Sequence, residues 1–204
     1  KAPGVYLDHG RLIGTSMGLI HIELFATLDL VGQAPGSAEE DPVRFPFGGW
    51  QAPLADSVTG SQIAAAYQGT DALLLGRRTY DIFAAHWPHA DEEEAAPFND
   101  ATKYVASRTR PELTWRNSQP LEGDVPTAVA DLKDEDGPDL QVHGSGQLVQ
   151  TLLGHRLVDE LRLWTFPVVL GSGKRLFADG TVPATLRLVD STVSTTGVVM
   201  ATYE

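Results

Sequence analysis

The sequence predicts one α/β domain: a mostly parallel sheet, helices on both faces, and an antiparallel hairpin at one edge. Three observations predict it. Short apolar or alternating runs take turns with helical patterns in the order β, α, β, α, β, α, β, α, β, and two further strands close the chain. Several strands end in glycine or polar turns that open directly into a helix, as parallel βα units do. The run Ala72-Leu73-Leu74-Leu75 is wholly apolar, which suits a central strand covered on both faces. With 204 residues, 42% of them hydrophobic and 21% charged, the chain can bury one sizeable core.

The elements follow in order. Leu19 to Ala26 alternates, with Ile20, Ile22, Leu24 and Ala26 on one side and His21, Glu23 and Phe25 on the other. Thr27 to Gly32 leaves that strand, and Gln33 to Pro53 is a long Gly- and Pro-rich loop carrying Glu39-Glu40-Asp41 and scattered aromatics. A helix is expected over Ala55 to Gln68, with Asp56 or Ser57 as its cap. After the Ala72 strand, Tyr80 to Trp87 has a helical pattern, and Asp91 to Glu94 reads as a solvated loop or a helix's first turn. Lys103 to Ser107 is a short strand and Val125 to Leu132 a short helix. Leu140 begins a strand that passes through Gly144-Ser145-Gly146 into an amphipathic helix. Val158 to Leu170 is a long strand with Pro167 marking an edge or bulge. Ala184 to Asp190 and Val198 to Tyr203 form the closing hairpin around Thr195-Thr196-Gly197. Lys1 to Ser16 has no clear periodicity and is expected to be an expression artefact or a disordered extension, leaving 17–204 as the domain.

Composition excludes several function classes. The formal net charge of −12 argues against nucleic acid or an anionic membrane as the main partner, since both need a basic footprint. No apolar run approaches a membrane span and no secretory pattern opens the sequence, so a cytoplasmic location is expected. The absence of cysteine removes disulfides, Cys-ligated zinc and thiol chemistry. His86 and His89 flank Trp87-Pro88, but the proline breaks the helix that would align them on a metal, and no metal is expected.

Chemistry is concentrated at strand ends. In open α/β sheets ligands bind beyond the carboxyl ends of the strands, and three such ends carry Gly76-Arg77-Arg78-Thr79, Ser107-Arg108-Thr109 and Gly144-Ser145-Gly146-Gln147. Taken alone, the Gly144 to Gly146 turn supports no more than a strand-to-helix turn able to hold an anion. Together, two helix N-termini suit a pyrophosphate, while Arg77 or Arg78 with Ser107 and Arg108 suits a further phosphate and so favours NADP over NAD. The alternative for the arginines is surface ion pairing in an acidic protein. Gly171-Ser172-Gly173-Lys174 is not a P-loop, because Val168 stands where the first glycine belongs and Arg175 where Ser or Thr must follow the lysine.

The segments LLLGRRTY, KYVASRT, LQVHGSGQLVQTLL and VDELRLWTFPVVLGSGKRLF, with ATLDLVG before them, resemble the dihydrofolate-reductase-like family. They are most similar to its branch named after the reductase domain of the bifunctional riboflavin-biosynthesis deaminase-reductase. The likeness spans about residues 17–204. It implies a three-layer fold, NADPH across the strand ends, frequent homodimers, and hydride transfer to a small heterocyclic or sugar-like substrate, as in a 5-amino-6-(5-phosphoribosylamino)uracil reductase. By the same resemblance Gly76, Arg77, Arg78 and Thr79 match the segment at the pyrophosphate and 2′-phosphate, and Ser107 and Arg108 the segment beside the adenosine phosphate. Gly144, Ser145, Gly146, Gln147 and Leu148 match the turn against the pyrophosphate and nicotinamide ribose. Ala26 and Thr27 match the first-strand end near the nicotinamide.

Two departures bear on substrate. Leu30 stands where many relatives have glycine, and no acid in the helix from Ala55 to Gln68 matches the pterin-binding carboxylate of true dihydrofolate reductases. A deaminase partner would need a His/Cys zinc site that a chain without cysteine does not supply. Asp29, leaving the first strand beside the expected nicotinamide, or a water it holds, is the candidate proton source, with a turn-forming role for Asp29 as the alternative. Trp50, Phe47 and His143 are candidates for the substrate pocket, with a packed hydrophobic loop as the alternative for the two aromatics and a satisfied strand-end histidine for His143. Two other functions stay open: a module that binds NADP(H) without turnover, and a structural dimer that has lost its cofactor.

Overall fold

The alternation in the first strand places Ile20 and Ile22 in one core and Phe25 in another, and the sheet is built around that division. The computed structural model describes residues 17–41, 45–68, 70–134, 137–177 and 179–204; the expected extension over 1–16 lies outside the described residues. Eight strands form one sheet in the order β4-β3-β2-β5-β1-β6-β8-β7. They are β1 (Ile20–Thr27), β2 (Ala72–Gly76), β3 (Thr102–Ala106), β4 (Ser118–Pro120), β5 (Leu140–Val142), β6 (Glu160–Phe166), β7 (Leu188–Val193) and β8 (Val199–Tyr203). The strands from β4 to β6 run parallel, while β8 pairs antiparallel with β6 and with β7. This is the mostly parallel mixed sheet with an antiparallel edge that the alternation of elements predicts.

Helices cover both faces. On one, α4 (Val125–Asp134) and α5 (Gly146–Gly154) bring Val129, Leu148, Val149 and Leu152 onto Ile20, Ile22, Leu74 and Leu161. On the other, α1 (Ser57–Tyr67), α2 (Arg77–His86) and α3 (Glu92–Asp100) cover Phe25, Leu73, Leu75 and Val105. Every residue of β2 is buried, as a strand with a helix layer on each side requires.

The differences from expectation have physical causes. Strand β4 is unforeseen: it is three residues long, polar, and sits on the sheet edge, where Pro120 is tolerated. Strand β7 starts four residues later than expected, at Leu188 instead of Ala184; it is exposed along nearly its whole length, so no buried face marks its limits. Helix α2 begins at Arg77 directly after the strand, and β6 ends at Phe166, the residue before Pro167. The acidic run is the first turn of α3, capped by the Asp91 carboxylate on the Glu93 N–H.

Candidate functional site

Two glycine turns interlock at the carboxyl ends of neighbouring strands. The Gly76 N–H, at the end of β2, donates to the Gly144 carbonyl at the end of β5 at 2.9 Å. A Cβ on Gly76 would lie 2.8 Å from the Ser145 backbone nitrogen, so glycine is what allows the approach. Gly144 has φ +131, a conformation that L side chains rarely adopt, and the Gly144–Ser145 peptide is cis. A Cβ on Gly144 would meet the Thr79 hydroxyl at 3.0 Å, which places Thr79 over the turn. Thus Gly76, Thr79, Gly144, Ser145 and Gly146 come together as the sequence suggests.

The helices leaving these turns begin without side-chain caps. Gly76 is the N-cap of α2 and Ser145 that of α5, and neither helix start receives a side-chain hydrogen bond or carries an acid in its first turn. Their leading N–H groups and positive dipole ends therefore face the same region, with open space beside Gly146. Gly146 and Gln147 are exposed, whereas Leu148 points into the core and can offer only its backbone.

The arginines divide. Arg77 pairs through Nε with Asp81 one turn along α2 at 2.7 Å, both side chains well exposed. Arg78 reaches from α2 to Asp41 in the long loop, Nη2 to Oδ1 at 2.8 Å. Arg108 is exposed beyond β3 and makes no ion pair among the described residues, while the Ser107 hydroxyl accepts the Thr109 N–H. Surface pairing thus holds for Arg77, and a buried acid holds Arg78.

At the end of β1, Ala26 and Thr27 are fully buried. The Thr27 hydroxyl accepts the Val31 N–H and donates to Asp29 at 2.7 Å. The Asp29 carboxylate also accepts the Leu170 and Gly171 N–H groups, at 3.2 and 2.9 Å. These bonds, led by the Thr27 hydroxyl, hold its pKa down to about 2. These bonds fit the turn-forming role for Asp29, whose carboxylate ties the β1 turn to the segment after β6. Leu30, in the same turn, has φ 63, the left-handed region that glycine occupies without cost.

The proposed substrate residues do not gather. Trp50 is buried against Phe166 and spends its indole N–H on the Gln33 carbonyl at 2.9 Å, which makes it a core anchor of the loop. Phe47 is 44% exposed and edges onto Phe45. His143 sits among Tyr67, Phe83 and Phe98, with ring centroids 5.4 to 5.9 Å away. Burial lowers its pKa to about 4, so the ring is neutral, and its Nε2 is buried without a partner among the described residues. The packing alternative holds for Trp50, whereas the ring of His143 is packed among aromatics but its Nε2 is not satisfied among the described residues.

Two residues near the site were invisible in the pattern. Glu23, on the same face of β1 as Phe25, is 2% exposed; its Oε2 accepts from the Gln141 amide at 2.9 Å and its Oε1 is buried without a partner among the described residues. Burial pushes its carboxyl up to about 7, with Arg162 on the paired strand opposing the shift. Asp41 is the other. It closes a run of three acids, and nothing in that run foretells that the third is buried against an arginine 37 residues away.

Glycines 171 and 173 serve the turn after β6. The Lys174 N–H donates to the Gln33 side chain and its carbonyl accepts the Gly32 N–H, so this segment braces the β1 turn. Among the described residues there is no group of three or more His, Asp or Glu placed to hold a metal, and no helix long and apolar enough to cross a membrane.

Comparison with known proteins agrees with this geometry. The model of the RibD C-terminal domain matches residues 21–200. The uncharacterized protein YyaP of Bacillus subtilis is 31% identical over 138 residues, covering 65% of this chain and 73% of YyaP. Among solved structures, the riboflavin biosynthesis reductase Rib7 of Saccharomyces cerevisiae superposes with a TM-score of 0.55 at 14% identity, covering 97% of this chain and 93% of Rib7. The deaminase/5-amino-6-(5-phosphoribosylamino)uracil reductase of Thermotoga maritima superposes with a TM-score of 0.59 at 14% identity, over 92% of this chain and 56% of that one. At such identities the structures share the fold, while the match over 21–200 settles the family. The chain belongs to the RibD C-terminal domain family.

Proposed function

We propose that the protein is an NADPH-dependent reductase of a small heterocyclic or sugar-like substrate, working as a homodimer. One observation carries the reading: α2 and α5 start side by side, uncapped, from two glycine turns in contact, which is a site for a pyrophosphate. The N–H groups after Gly76 and Ser145, with the Thr79 hydroxyl, hold that group; Arg78 adds charge to it. Ser107 and Arg108, after the end of β3, with Arg77 after the end of the neighbouring β2, suit the 2′-phosphate. Bound there, NADPH supplies a hydride. The buried end of β1 at Ala26 and Thr27 then forms a dry wall for the nicotinamide.

The test is direct. NADPH should raise the melting temperature and be oxidised by at least one member of a panel of carbonyl and imine compounds. Replacing Arg77 and Arg108 with Ala should weaken NADPH far more than NADH; equal loss for both refutes the 2′-phosphate assignment. A second reading, a module that binds NADP(H) without turnover, is favoured by the ionised, fully engaged Asp29, which leaves the β1 end without an acid to donate a proton. Binding without oxidation across the panel would select it.

A further inference from the structure

We infer that Asp41 is a positioning residue for the cofactor site, aiming Arg78 across the mouth of the glycine cradle. The inference rests on the cofactor reading above. Asp41 lies in the connection that leaves β1 and Arg78 in the first turn after β2, and β5, with its Gly144 turn, lies between β1 and β2 in the sheet. An ion pair joining those two connections spans the strand whose turn forms the cradle.

The pair is asymmetric. Asp41 is 3% exposed, while the Arg78 side chain is 44% exposed. The Gln33 amide donates to the Asp41 Oδ2, and Gln33 is itself fixed by the Lys174 N–H and by the bond from Trp50. Further backbone bonds, Gly49 to Ala34 and Gln51 to Pro35, close the loop on itself, with Phe45 and Trp50 in the core. The carboxylate is thus held from below by a braced wall. Above it, Arg78 uses Nη2 on Asp41 and keeps Nε and Nη1 without a partner among the described residues.

A guanidinium fixed in this way loses less rotamer freedom on meeting an anion, so the pair favours binding. Arg77 makes the contrast: its partner Asp81 is one turn away, and both are exposed, an arrangement worth little and easily exchanged. If instead Asp41 competed with the ligand phosphate for Arg78, removing it would tighten binding.

The experiment is an NADPH titration by calorimetry of the full chain, its Asp41→Ala and Arg78→Ala variants and the double variant. Positioning predicts that each single change weakens NADPH about tenfold and that the double variant is no weaker than Arg78→Ala. Asp41→Asn, which keeps an acceptor without the charge, is the second variant should Asp41→Ala not fold; it should lose affinity in the same direction by less. Wild-type binding with either Asp41 variant binding as tightly or more tightly overturns the role of Asp41 alone, as do losses that add in the double variant. No NADPH binding by the wild type overturns the cofactor reading and this inference with it.

Discussion

The helices of this protein begin in two ways. Helix α1 starts from a capping box in which Asp56 accepts the Thr59 N–H and Thr59 accepts the Asp56 N–H; Asp56 also accepts from Thr195 and Thr196 of the hairpin turn. Helix α3 starts from Asp91, and the Asp124 carboxylate takes the Thr127 N–H at the head of α4. Helices α2 and α5 start from Gly76 and Ser145 with no side-chain cap. Where the chain must only fold, an aspartate satisfies the first turn; where two helix starts meet at strand ends, their donors are left for something else.

The largest effect expected on the free protein concerns Glu23. Its folded pKa is raised from 4.5 to about 7, so the stability it contributes is present below 4.5 and lost as pH rises through 7. The size is about 3 kcal/mol. The groups around it, His21, Gln141, Glu160, Arg162 and Tyr67, stay in place in Glu23→Gln, so urea unfolding of that variant should show a flattened pH slope between 4.5 and 7. An unchanged slope would remove Glu23 as its source.

Alanine at two glycines separates the helix starts next. Gly76→Ala forces a Cβ against the Ser145 backbone and should cost about 2 kcal/mol. Gly60→Ala, in α1 with nothing within 4 Å, should stabilise by about 0.5–1 kcal/mol. Thermal unfolding of both variants checks the opposite signs. Exchanging the caps is the sharper test: Ser145→Asp should weaken NADPH about tenfold by placing an acid where the anion belongs. Asp56→Ala should lower the melting temperature and leave NADPH affinity unchanged.

The smallest effect is at Leu30. Its φ of 63 suits glycine, and Leu30→Gly should stabilise by about 0.5–1 kcal/mol in chemical denaturation. A loss of stability would mean that the leucine side chain contributes more than its backbone strain costs.

Much of this division was legible in the sequence, and what was not has a common cause. Ala72 to Leu75 and the Gly144 to Gly146 turn announce themselves because burial and glycine leave local marks. Asp56 was foreseen as a cap for the same reason. The sequence offers the turn-forming role of Asp29 but not its partners, two of which lie 141 and 142 residues away, and it gives no sign of the Asp41 ion pair, whose arginine is 37 residues away in another element. Strand β7, exposed on most positions, offers no alternation to set its limits. Pairings closed by the fold, between elements that periodicity treats one at a time, are the part that stays hidden.

The most direct test of the central claim is amide hydrogen exchange with and without NADPH. The account predicts slowed exchange at residues 77–80 and 146–149, the first turns of α2 and α5, with no change at 57–60 and 92–95, the first turns of α1 and α3. Protection confined to α1 and α3, or none at α2 and α5 when NADPH is bound, would contradict it.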